Sequence, residues 1–288
     1  MSPTTPAGRV AVVTDSTASL PDVVPDGADV VVVPLHVVVD GTAHLEGVDL
    51  TPARLVAALR AGAQVTTSQP GPEAFARAYS RAAARGAREV VSVHLSAELS
   101  GTVTSAAIAA QTSPVPVHVV DSRSVGMGLG FPVLTALAAA RAGEDGAAVA
   151  RAAERRAATT SVLFAVDTLE HLRRGGRLGP VAAAVGTVLG LRPVLGVRDG
   201  RIEVVEKVRT SARARTRLVE LVADGVARRG AFDLAVHHLG DAASAEELGD
   251  RLRASCGPGL RDLHVAEISA VVGAHVGPGV LAVVAADH

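Results

Sequence analysis

Short runs of β-branched apolar residues alternate with alanine-rich segments through the first half of the chain. Residues 10–14, 29–33, 90–94 and 117–120 have the length and composition of buried strands, and residues 52–61, 73–85, 102–111 and 131–142 read as helices between them. This alternation predicts a mainly parallel sheet covered on both faces. The functional edge of such a sheet lies at the C-terminal ends of its strands, where Asp15-Ser16, the stretch 94–96 and Asp121-Ser122 follow directly. Residues 34–47 read as a hairpin arm.

After a helical run at 146–158 the pattern changes. A strand at 161–166 and a helix at 181–189 lead to two strands, 193–197 and 202–206, that flank the turn signal Arg198-Asp199-Gly200-Arg201. A helix at 212–228, a strand at 234–238, a helix at 244–253 and strands at 263–268 and 280–285 complete a second α/β region. The expected organisation is one domain over residues 1–159 and a second, with a mixed sheet, over 160–288.

Two polar signatures interrupt the aliphatic background, Thr67-Ser68-Gln69-Pro70 and Leu99-Ser100-Gly101-Thr102. Each stands directly before a helical run, so each is expected to offer hydroxyls and free N–H groups at a helix N-terminus, a place that holds small anions. Ser68 and Thr102 read equally well as plain helix caps, and Asp15 as the cap of a turn. His275, among glycines, reads also as a turn histidine, and Gly175-Gly176 as a tight turn with Arg177 on the surface.

Composition narrows the chemistry. Aromatic residues make up 2 % of the chain and the net charge is −1, so neither the basic surface nor the stacking platforms of a nucleic-acid binder are present. Any pocket must be lined mainly by Val, Leu, Ala and Ile, which suits an alkyl chain. The single cysteine, Cys256, excludes an intramolecular disulfide framework and a multi-cysteine metal site. His237-His238 lies in a strand that sends the two rings to opposite faces, against a shared metal. No apolar stretch reaches the roughly 18 residues of a membrane span, and residues 1–9 lack a signal-peptide pattern. A cytoplasmic location without stable membrane insertion is the expectation.

Enzyme readings find weak support. Gly126-Met127-Gly128-Leu129-Gly130 is not the dinucleotide fingerprint. Ser100, His275 and Asp15 nominally supply the parts of an acyl ester hydrolase, yet Ser100 sits in no G-x-S-x-G elbow.

Taken in order, Val13-Thr14-Asp15-Ser16-Thr17, Val33-Pro34-Leu35, Thr67-Ser68-Gln69-Pro70, the run from Leu95 to Thr102, Val120-Asp121-Ser122, Arg174-Gly175-Gly176-Arg177-Leu178, Arg192-Pro193-Val194-Leu195 and His275-Val276-Gly277-Pro278-Gly279 resemble the DegV family from about residue 10 to 285. The resemblance implies a two-domain α/β protein that binds one long-chain fatty acid between its domains. It also implies a protein that is not itself an enzyme and needs no cofactor. Such a carrier presents the acid to a fatty acid kinase, whose acyl phosphate product feeds phospholipid synthesis.

Carried over by position, the carboxylate-holding hydroxyls fall on Thr67 and Ser100, with Ser68, Gly101 and Thr102 beside them. His275 and Arg177 are expected near the exposed carboxylate, Arg177 serving the kinase encounter, and Asp15 and Ser16 support the site from the strand end. Gly71, Val103 and Gly179 depart from the family's usual Ser, Tyr and Ser. A lipid-filled regulatory protein remains the alternative outside the enzymes. The chemistry agrees with a carrier: about fourteen buried methylenes at roughly 0.8 kcal/mol each supply on the order of 11 kcal/mol gross, so the tail dominates affinity and the hydroxyls fix its orientation.

Overall fold

The computed structural model describes residues 9–20, 30–178 and 192–288. The expected helix at 181–189 and the departure at Gly179 lie outside the described residues.

Strand β1 (Val10–Asp15) is buried along its whole length because it is central in a parallel sheet, with β2 (Val30–Val33) on one side and β6 (Glu89–His94), then β7 (Val117–Asp121), on the other. Its side chains alternate between two cores. Ala11 and Val13 pack with Phe75, Tyr79 and Ala106 of helices α2 (Pro72–Ala84) and α3 (Thr102–Ala110), whereas Val10 and Val12 meet the opposite layer, helices α4 (Met127–Arg141) and α5 (Gly146–Ala158).

The arm at 34–47 forms β3 (His36–Val39) and β4 (Thr42–Leu45), closed by Asp40 and Gly41 at φ +46° and +82°. A strand the sequence reading lacks, β5 (Val65–Ser68), pairs antiparallel with β3 and completes a three-stranded sheet. Helix α1 (Pro52–Arg60), capped by Thr51, links β4 to β5.

Every remaining described strand joins one mixed six-stranded sheet in the order β10-β9-β8-β13-β11-β12. These are β8 (Ser161–Ala165), β9 (Val194–Arg198), β10 (Arg201–Glu206), β11 (Phe232–His238), β12 (Leu260–Glu267) and β13 (Leu281–Asp287). Only β11 and β12 run parallel. The Asp199-Gly200 turn takes φ of +50° and +81°, as its sequence predicts.

Leu281, Val283 and Ala285 pack outward on helices α7 (Ser211–Val226) and α8 (Ala242–Ser255), while Ala282 and Val284 face inward and join the core of the first half. Two short helices, α6 (Glu170–Arg174) and α9 (Ala270–Val276), pack against each other beside the three-stranded sheet.

Several local expectations change. Thr67 and Ser68 belong to a strand, so Ser68 caps no helix; Gly71 is the N-cap of α2, without a side-chain cap bond. Thr102 is the first residue of α3 rather than its cap. His275 lies in a helix, not a turn. Helix α4 begins at Met127, earlier than the expected 131, and takes in Gly128 and Gly130, where a Cβ would overlap Ser124 and the Ala18 carbonyl.

Candidate functional site

A cavity of about 380 Å³ lies between the six-stranded sheet, the three-stranded sheet and α9. Its walls are aliphatic, with Leu35, Leu95, Val162, Ile268, Val276 and Val284 representative of the lining, and the volume falls in the range of small-molecule sites. Polar groups gather from four segments: Thr67, Ser68 and Gln69 from the end of β5, Ser100 before α3, Arg177 after α6 and His275 in α9. A groove of about 470 Å³ shares Leu99, Ser100, Arg177 and Ile202 with the cavity and adds Gly101 and Arg201, forming an outer vestibule.

Thr67 faces His275 because β5 alternates its side chains and α9 presents Val271, Val272, His275 and Val276 on one face. Thr67 Oγ1 and His275 Nε2 are 2.7 Å apart. His275 Nδ1 is buried without a hydrogen-bond partner against Gly175, where a Cβ would overlap the ring. A buried orphan N–H is rarer than an orphan acceptor, so the proton is assigned to Nε2 and donated to Thr67. The Thr67 hydroxyl proton is then free to enter the cavity. Burial first, and the neighbouring Arg177 charge second, lower the His275 pKa to about 4, leaving the ring neutral at pH 7.

Ser100 also has a hydroxyl partner of its own. Its Oγ lies 2.9 Å from Thr102 Oγ1, and Thr102 is fully buried behind it. Thr102 thus backs the wall rather than lining it, and Gly101 faces the vestibule. Gly101 also lacks room for a Cβ, which would overlap the Gln69 amide. Arg177 lies half-buried; its Nε donates to the Leu99 carbonyl at 3.2 Å and its Nη1 to the Gly175 carbonyl at 2.7 Å.

Asp15 and Ser16 stand one layer further back. Asp15 Oδ2 accepts from the Leu95 N–H at 3.0 Å and Ser16 Oγ from the Leu35 N–H at 3.0 Å, so each fixes a residue of the cavity wall. Asp15 pairs with the buried His94, not with His275, and His94 continues through Ser92 to Tyr79. Burial pushes the Tyr79 hydroxyl up to about 12. Ser100, His275 and Asp15 therefore form no relay, and the hydrolase arrangement is not assembled.

His237 is a wall residue that sequence reasoning weighed only as a metal ligand. Its Nε2 accepts from the Met127 N–H at 2.9 Å and its Nδ1 faces the Ala266 carbonyl, so both ring nitrogens are engaged. Gln69 and the valines of α9 are further contributors. Gln69 stood within the motif already, whereas α9 has a composition with little helical signal. Among the described residues no group of three or more His, Cys, Asp or Glu is placed to hold a metal, and no helix is long and apolar enough to cross a membrane.

The fold and site define an α/β protein with a mainly aliphatic cavity in which Thr67, Ser100, Arg177 and His275 are brought together. The family model described as "Uncharacterised protein, DegV family" matches residues 9–288, and the chain belongs to the DegV family. It is 50 % identical over 280 residues to a DegV domain-containing protein of Streptomyces coelicolor, covering 97 % of this chain and 99 % of the relative. Among solved structures it resembles a fatty acid binding DegV family protein from Thermus thermophilus, with TM-score 0.90 and 37 % identity over 97 % of this chain and 100 % of the other. It also resembles DegV, a fatty acid binding protein from Bacillus subtilis, with TM-score 0.89 and 29 % identity over 98 % and 100 %.

Proposed function

We propose that the chain is a carrier for one long-chain fatty acid, with the acyl tail in the aliphatic cavity and the carboxylate at its mouth between Thr67 and Ser100. The observation that carries this reading is the make-up of the lining: mostly aliphatic side chains, with the Thr67 and Ser100 hydroxyls among its few polar groups. The likeness to the fatty acid binding proteins of T. thermophilus and B. subtilis supports it.

In this arrangement His275 donates to the Thr67 oxygen, and Thr102, 2.9 Å from Ser100, is placed to do the same there, which leaves both hydroxyl protons for a carboxylate. Hydrogen bonds to a charged acceptor contribute about 1.5–3 kcal/mol each, less than the tail. Ser68, Gly101 and His275 complete the surroundings of the head group, Thr102 acts through Ser100, and Asp15 and Ser16 hold the wall. A neutral His275 keeps a second cation away from the carboxylate, which stays ionised and nucleophilic.

The vestibule leaves the head group open to a partner, and a fatty acid kinase in the cytoplasm is the partner proposed, its acyl phosphate product feeding phospholipid synthesis. Arg177, with two donors engaged by carbonyls, is assigned to that encounter. The domains are taken as residues 1–159 and 160–288, in line with the change of sheet between α5 and β8.

Palmitic acid, ATP and a bacterial fatty acid kinase, with hydroxylamine as the trap for acyl phosphate, test the reading. Wild type is expected to bind the acid and support hydroxamate formation, and Arg177→Ala to bind but support little. Bound acid that yields no acyl phosphate would remove the presentation role, and failure to bind would remove the carrier.

A further inference from the structure

Helix α9 is gripped at both ends by the three-stranded sheet. At one end His275 meets Thr67 of β5. At the other, Glu46, the residue directly after β4, turns inward and is only 6 % exposed. Its Oε1 accepts from the Val271 N–H at 3.0 Å, while its Oε2 is buried without a hydrogen-bond partner. Gly47, at φ +73°, takes the chain back out to the surface.

Glu46 and Thr67 are rigidly related through β3, which pairs His36 with Leu45 on one side and Val37 with Thr67 on the other. The spacing between the Thr67 hydroxyl and the His275 ring therefore depends on where Glu46 sets the start of the helix. An ordinary cap is already present, since Ser269 Oγ accepts from the Val272 N–H at 3.2 Å. Burying a second polar group at that cap costs desolvation, and the bond that its Oε1 accepts from the Val271 N–H ties the start of the helix to the end of β4.

We propose that Glu46 is a positioning residue for carboxylate recognition, acting through helix α9 on the contact between His275 and Thr67. This rests on the head-group reading above. A displacement of about 0.8 Å would stretch this 2.7 Å contact to about 3.5 Å, beyond the normal hydrogen-bond range.

The test compares equilibrium binding of palmitic acid with that of hexadecan-1-ol, which has the same tail and no carboxylate, in wild type, Glu46→Ala, Glu46→Asp, Glu46→Gln and Thr67→Val. Glu46→Ala and the shorter Glu46→Asp are expected to lower the acid-to-alcohol affinity ratio about fivefold, less than the roughly tenfold or greater drop of Thr67→Val, while alcohol affinity stays within about twofold. Glu46→Gln, whose amide oxygen still accepts from Val271, is expected to keep the wild-type ratio. The Asp and Gln variants decide the matter if Glu46→Ala does not fold. A wild-type ratio in Glu46→Asp alongside a lowered one in Thr67→Val would overturn the role of Glu46 and leave the head-group reading standing, as would equal loss of both lipids. A wild type that does not prefer the acid would overturn the head-group reading and this inference with it.

Discussion

Thr67 Oγ1 and His275 Nε2 stand 2.7 Å apart across 208 residues of sequence. The contact joins a strand of the first half to a helix of the second at the cavity mouth, so the proposed head-group site exists only when both halves are assembled. A ligand bound there stabilises the assembled chain by mass action.

Replacing Thr67 by Val keeps the side-chain shape and removes the donor. Palmitic acid affinity is expected to fall about tenfold or more, corresponding to ~1.5–3 kcal/mol, with Ser100→Ala in the same range. Isothermal titration reads this directly; unchanged affinity in both variants would move the carboxylate elsewhere.

His275 and His237 both have pKa values lowered to about 4, chiefly by burial, against 6.5 in the unfolded chain. Between these values the unfolded state binds more protons, so stability falls as pH drops from about 6.5 towards 4, on the order of 1 kcal/mol per pH unit per ring. Glu46, raised by burial, opposes this, because its native form takes up a proton at higher pH than the unfolded one. His275→Gln should show a flatter dependence of the urea midpoint on pH over that window; a slope equal to wild type would place His275 in a more hydrated setting.

Gly175 has φ −72°, which any residue adopts, yet a Cβ there would overlap His275 Nδ1. Gly175→Ala is expected to turn the ring away from Thr67 and lower palmitic acid affinity several-fold with little change in thermal midpoint. The nitrogen shifts of the His275 ring, measured in both proteins, report the loss of the Nε2 bond.

Much of the fold was legible in the sequence. The continuous apolar run Val10 to Val13 marks a strand buried on both faces, and Asp199-Gly200 marks a hairpin through the positive φ that this dipeptide tolerates. The site was partly legible, through two hydroxyl motifs and a histidine far from them. Strand β5 was hidden because three of its four residues are polar and its pairing is with β3, distant in sequence. Helix α9 was hidden because a glycine and three valines disfavour a helix; the Ser269 cap, Glu46 and packing on α1 and α6 impose it.

Val284 is 1 % exposed and lines the aliphatic part of the cavity. Val284→Phe fills volume needed by the tail, so long acids should lose more affinity than short ones. A uniform loss across a chain-length series would instead mean damage to the core.

The central claim is tested most directly by mass spectrometry of the purified protein, native and then denatured, with lipid analysis of an organic extract. One fatty acid per chain is expected, strongly reduced in the Thr67→Ala, Ser100→Ala double variant. An empty protein that also takes up no added palmitic acid would contradict the carrier account.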